Sequence, residues 1–204
     1  MNGGTKIVIC EILQREATVA LRLEGLEGAE LVTLPPFDAG GNGFKVPLER
    51  LAPTDAICIL TGDCLPPAIM LPDEYKFVYA LRSARAYELV TTRAVIEQLL
   101  FEGSSIVLPG WVSKWRSYLK VQDERIFRQA FRQTATKISM LETDSGSGAA
   151  AELKEFGRFV RLPYEIVPVG LELFASRLSN GVLKANLLRE QARRRALESS
   201  KVSP

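Results

Sequence analysis

The sequence contains no histidine among its 204 residues. That excludes Ser–His and Cys–His catalytic pairs, HExxH zinc sites and phosphorylation on histidine within this chain. Acid–base work would fall to Asp, Glu, Lys, Tyr or Cys, which shifts weight away from hydrolase and metalloenzyme readings. Cysteine is scarce as well. There are three, an odd number, so no disulfide framework is expected and a reducing cytoplasm is the expected location. No apolar run approaches the roughly 18 residues of a membrane span. The start, Met1-Asn2-Gly3-Gly4, lacks the charged-then-apolar pattern of a secretory signal. A net charge of only +2 gives no global reason to expect nucleic acid or membrane binding. No internal repeat at a fixed period is present.

What is there fits a globular chain that can bury a full core: 47% hydrophobic and 25% charged residues. Short β-branched or apolar runs read as strands at Lys6–Cys10, Leu31–Leu34, Ala56–Leu60, Lys76–Leu81, Ser105–Leu108, Lys137–Leu141 and Tyr164–Val167. Helical spacing runs between them over Glu11–Gly25, Tyr87–Glu102, Trp111–Leu119, Asp123–Thr134 and Ala149–Phe156, with Gly25 as a helix end and Asp123 as a cap. Pro35–Gly43 reads as a turn-rich loop. Strands alternating with helices predict an α/β, Rossmann-like fold: a mainly parallel sheet with helices on both faces. From Leu171 a helix is expected to about Glu198. Its positions Leu171, Phe174, Leu178, Gly181, Ala185, Leu188 and Ala192 follow a heptad seam, with an interruption expected at Asn180-Gly181. The expected division is a Rossmann-like ligand-binding domain over 1–170 and a C-terminal helix and linker over 171–204.

Two cysteines stand just past strands. Cys10 ends Ile7-Val8-Ile9, and Cys64 closes the turn Thr61-Gly62-Asp63-Cys64. In an open α/β sheet the carboxyl ends of parallel strands share one rim, and ligands bind in the crevice outside it. If both strands are parallel, two thiols and the Asp63 carboxylate converge there. Such a pocket suits a soft metal bound by Cys10 and Cys64, an iron–sulfur or corrinoid-type cofactor, or a thiol-reactive ligand. The same cysteines also read as small buried hydrophobes, which is how free cysteine usually behaves. Cys58, inside an apolar strand, reads as core. The cluster Arg82-Ser83-Ala84-Arg85-Ala86-Tyr87-Glu88 lies between a strand and a helix, where two guanidiniums and free N–H groups suit an anion, or form solvated surface. Thr143–Gly148 reads as a flexible connector, since it lacks the lysine of a P-loop. Arg193-Arg194-Arg195 reads as a solvated face, and Trp111 and Trp115 as residues buried against the sheet.

These residues resemble an uncharacterised prokaryotic family, the domain of unknown function numbered sixteen thirty-eight. Cys10-Glu11-Ile12-Leu13-Gln14-Arg15-Glu16 is similar to the family's opening Cys-Gly-Ala-Leu-x-x-Glu. Thr61-Gly62-Asp63-Cys64-Leu65 is similar to Tyr-Gly-Asp-Cys-Gly, and Ala86-Tyr87-Glu88-Leu89 to Cys-Tyr-Glu-Leu. A later Thr-Asp pair corresponds to Thr143-Asp144, and the resemblance spans Lys6 to Ser179. The family's third cysteine is Ala86 here, and the glycine after its second is Leu65, so this chain keeps two of three thiols. Family members lie beside corrinoid-dependent methyl-transfer systems, and related domains are fused to signalling modules. The resemblance therefore implies one-carbon or corrinoid biology without naming a substrate.

The expectation is a ligand- or cofactor-sensing input domain. A small-molecule ligand would be held by Cys10, Asp63, Cys64, Arg82, Arg85, Tyr87 and Glu88. The C-terminal helix would pair with a second copy as a homodimer and carry the signal to a fused output domain such as a histidine kinase. A chain that stops in a linker-like segment reads as a piece of a longer protein. The alternative is a small enzyme or accessory protein of corrinoid, one-carbon or sulfur metabolism that uses a rim cysteine, its thiolate stabilised by Arg82 or Arg85.

Overall fold

The computed structural model describes residues 3–36, 47–65, 71–119, 123–145 and 148–202. Most of the expected Pro35–Gly43 loop lies outside them. The first half runs β1 (Thr5–Cys10), a 3-10 turn (Glu11–Leu13), α1 (Gln14–Leu23), β2 (Ala29–Leu34), β3 (Ala56–Thr61), β4 (Val78–Arg82), a second 3-10 turn (Ala86–Leu89) and α2 (Arg93–Phe101). Gly25 follows α1 with φ 63°, the left-handed turn that ends a helix and that glycine adopts without steric cost. The second half runs β5 (Ser104–Val107), α3 (Pro109–Val112), α4 (Trp115–Leu119), α5 (Glu124–Thr134), β6 (Lys137–Glu142), α6 (Ala150–Val160), β7 (Tyr164–Pro168) and α7 (Glu172–Val202). Asp123 caps α5, accepting from the backbone N–H groups of Arg125 and Ile126.

The fold is α/β and Rossmann-like, with every strand pair parallel and a long C-terminal helix. Its strands form two sheets, ordered β2-β1-β3-β4 and β5-β6-β7. A strand-forming run reports local backbone and one buried face; which strands bond to each other is settled by long-range packing. β3 is buried at all six positions, as a central parallel strand covered on both faces should be. The two sheets have separate cores. One gathers the first sheet with α1 and the first half of α7; the other packs Val112, Trp115, Leu153 and Phe156 on Ile138 and Met140. Ile106, Leu141 and Val167 of the second sheet, and Leu108 just past β5, reach across to the first core, so the halves share a packed seam.

The expected break at Asn180-Gly181 does not occur, because α7 runs through it. Asn180 turns its amide back to the Ser176 carbonyl (2.9 Å). Gly181 is where α7 crosses β3: a Cβ there would lie 2.6 Å from Cys58 Sγ. The close approach offsets the poor helix propensity of glycine. The heptad seam is likewise spent within the chain. Leu171, Phe174, Leu178 and Ala185 are buried against the first sheet and α1 rather than left for a second copy, whereas Leu188 is exposed. Further along, Arg189 Nη1 donates to the carbonyls of Gly3 and Gly4, both at 2.6 Å, and anchors the chain's start.

Gly181→Ala is expected to destabilise the protein by about 1–2 kcal/mol through overpacking. In a Cys58→Ala background the same substitution should become neutral or stabilising, since alanine then regains its helix advantage of about 1 kcal/mol. Urea unfolding of the four variants measures this sign change, and additive effects would refute the close approach.

Candidate functional site

In the order β2-β1-β3-β4 the chain leaves β1 for β2 on one side and returns to β3 on the other. The crevice of an open α/β sheet forms outside the carboxyl ends at that reversal. Cys10 and Thr61 are the last residues of β1 and β3. The Cys10 thiol donates to the Cys64 carbonyl at 3.8 Å, so the ends of these two strands meet as expected. Gly62 permits the next approach, because a Cβ there would lie 2.5 Å from the Ala86 nitrogen. Asp63 then ties the turn after β3 to the one after β4. Its Oδ1 accepts from the Ala86 N–H (2.9 Å) and its Oδ2 from Arg85 Nη1 (3.0 Å).

Outside this rim lies a cavity of about 330 Å³. One wall is the rim itself: Ile12, Asp63, Cys64, Ala86 and Tyr87. The facing wall comes from the second half of the chain: Ile106, Trp111, Tyr118, Phe127 and Phe131. Trp111 and Tyr118 rings lie 6.3 Å apart at 32°, and Phe127 and Phe131, one helical turn apart on α5, lie 5.7 Å apart at 33°. The two tryptophans expected to bury together therefore divide. Trp115 joins the second core at 5% exposure, whereas half-buried Trp111 faces the cavity.

Of the residues read as a site, Asp63, Cys64 and Tyr87 line the cavity, and Arg85 is held at its edge by Asp63. Cys10 is fully buried behind Cys64 and does not line it. Arg82 is exposed and lines a different groove with Glu88 and Arg177. The Glu88 carboxylate accepts from the Ala84 N–H (2.9 Å), and its carbonyl accepts from Arg177 Nη1. The two guanidiniums thus diverge and make no joint anion site: one carboxylate recruits Arg85, while Arg82 ends β4 on the other side.

The Cys64 and Cys58 thiols are poor nucleophiles. The hydrogen bond with Cys10, burial and the Asp63 charge all push the Cys64 thiol well above the ordinary thiol range, which keeps it protonated at neutral pH. Burial alone pushes Cys58 up to about 12, in line with its place in the core. Among the described residues no three or more His, Cys, Asp or Glu side chains gather to hold a metal ion. A sealed Cys10 and a protonated Cys64 do not fit the four thiolates of an iron–sulfur cluster, and a corrin macrocycle exceeds the cavity of about 330 Å³. The phenols of Tyr87 and Tyr118 are both pushed up, chiefly by burial and by nearby carboxylates, so both remain protonated donors.

Residues just after β1 hold the two halves together. Glu11 accepts from Lys114 Nζ (3.0 Å) and from the Tyr118 hydroxyl (3.1 Å). Arg15 Nε donates to the Ser145 carbonyl (2.9 Å). A Cβ on Gly110 would lie 2.0 Å from the Ile12 carbonyl, so glycine lets α3 seat on the 3-10 turn. Deepest is Glu16, fully buried, with Oε1 accepting from Thr143 Oγ1 (3.2 Å) and Oε2 without a hydrogen-bond partner. Burial raises its carboxyl above the ordinary range, and Glu142 adds to this. Sequence reasoning passed over Glu11, Glu16, Lys114, Tyr118, Phe127 and Phe131. The one available signal was that Glu11, Glu16 and Thr143 fall in the resemblance motifs.

No protein-family model, curated protein or solved structure matches the chain. No helix among the described residues is long and apolar enough to cross a membrane.

The Glu16 carboxyl gives the seam a pH dependence. Below its ordinary value of 4.5 it is protonated both folded and unfolded. Above that the unfolded chain ionises first, so its contribution to stability falls as pH rises towards the raised folded value, then levels off. Glu16→Gln removes this slope. Urea midpoints from pH 4 to 8 should show wild type losing ground to the variant as pH rises, and parallel curves would contradict the assignment.

Proposed function

We propose that the chain is a ligand-sensing module that binds a small molecule in the cleft between its two sheets. The observation that carries this reading is the cavity of about 330 Å³ at the strand reversal, with one wall from each half. It falls within the size range of small-molecule sites, predominantly apolar with a few placed polar groups. A ligand touching both walls would favour one relative arrangement of the halves over another, and that difference in affinity is what a sensor needs.

The C-terminal helix is the element suited to report it. The Val169 N–H donates to the Glu142 carbonyl on the second sheet (2.9 Å), Gly170 turns with φ 68°, and Leu171 and Phe174 enter the first core. The first turn of α7 thus sits where the chain crosses from one half to the other. In this proposal α7 carries the change to a fused output module, such as a histidine kinase; the resemblance implies fusion to signalling modules. A partner would meet α7 beyond Ala185, where Leu187 and Leu197 are exposed. The rival reading, a thiolate enzyme, is disfavoured by the protonated Cys64 and the enclosed Cys10.

N-phenyl-1-naphthylamine, an uncharged ring probe whose emission rises in apolar surroundings, tests the cleft. It should bind wild type at a single site and slow amide exchange in the first turn of α7. Ile106→Trp or Ala86→Leu, which fill the cleft, should abolish both effects while circular dichroism stays unchanged. Absent binding, or binding indifferent to both substitutions, would overturn the proposal.

A further inference from the structure

The composition of the cavity wall narrows the class of ligand, given the cleft reading above. Five rings line it: Tyr87, Trp111, Tyr118, Phe127 and Phe131. Among the described residues no lysine or arginine lines it, and Asp63 is its one carboxylate. Among the described residues two cations beside the lining are already engaged, Arg85 on Asp63 Oδ2 (3.0 Å) and Lys114 on Glu11 Oε2 (3.0 Å). Among the described residues an anionic ligand would find no cation in the lining; Arg85, at the edge, is already spent on Asp63, and Glu11 stands close behind Tyr118, so burial of the anion would go largely uncompensated. A positive ligand meets the opposite situation. Aromatic faces attract cations, most strongly where water is excluded, and several rings around one carboxylate suit alkylated ammonium groups. Asp63 uses one hydrogen bond on each oxygen within the chain, and each oxygen keeps a second lone-pair direction.

We infer that the cleft selects an organic cation, an alkylated ammonium head placed among Trp111, Tyr118, Phe127 and Phe131 beside Asp63. The Tyr87 and Ser105 hydroxyls are left to orient the rest of the molecule, since the Tyr118 hydroxyl already donates to Glu11.

Choline and 3,3-dimethylbutan-1-ol have nearly the same shape, the second carrying a neutral carbon in place of the charged nitrogen. Both are titrated into wild-type protein as competitors of N-phenyl-1-naphthylamine, with Trp111 emission as a second readout. Choline should displace the probe about tenfold more strongly than the neutral isostere. Asp63→Asn and Phe131→Leu should each reduce that ratio to about threefold or less, while the naphthyl probe still binds. Equal displacement by the two compounds, or preference for the neutral one, overturns the inference and leaves the cleft itself standing. A naphthyl probe that fails to bind, together with no Trp111 response to choline, overturns both readings.

Discussion

The site depends on one constraint: β1 and β3 lie side by side and parallel, with the chain departing in opposite directions on either side of them. That places Cys10 next to the turn carrying Asp63 and Cys64, although 54 residues separate the two cysteines. It also fixes where every later element can dock. The 3-10 turn after β1 becomes the seat for α3 through Gly110, and the turn after β4 is drawn in by Asp63 across Gly62. Loss of the β1–β3 pairing would split the rim wall of the cavity, parting Ile12 from Asp63 and Cys64.

The second half of the chain builds a separate core and still presses on the first. Apolar contact through Ile106, Leu108 and Leu141 joins them on one side of the second sheet. Polar contact through Glu11, Arg15 and Glu16 joins them next to the cavity. The polar contacts are more easily exchanged for water than the apolar ones, and Glu16 keeps one oxygen unpartnered at full burial. This is a seam that holds without being strongly optimised, as the proposed response of the two halves to a ligand requires. The exposed pairs in it, such as Lys114 with Glu11, contribute little on their own.

Local elements were legible in the sequence because they depend on local chemistry. β-branched runs marked the strands, Gly25 marked the end of α1, and Asp123 marked the start of α5. The meeting of Cys10 with Cys64 was also legible, since parallel strands bring their carboxyl ends to one rim whatever lies between. The division into two sheets was not, because strand propensity is silent on strand partners. Gly181 read as a break when its role is to let Cys58 approach, a fact that resides in the other partner. Arg82 and Arg85 read as one cluster because sequence proximity hides that one carboxylate captures only the second. Tyr118, Phe127 and Phe131 read as ordinary helix residues; only the packing of α4 and α5 against the rim gives them a shared cavity. Glu16 and Thr143 meet across 127 residues, beyond the reach of any spacing argument.

A cleft shared by the two sheets requires that both halves of the chain touch one ligand. Amide and methyl chemical-shift mapping of the intact protein, titrated with N-phenyl-1-naphthylamine, measures this. The expected result is a set of concerted changes at Ile12, Cys64 and Ala86 together with Ile106, Trp111 and Phe131, all saturating at the same concentration. Changes limited to one of these two groups, or spread along the exposed face of α7 instead, would contradict a cleft shared by the two sheets.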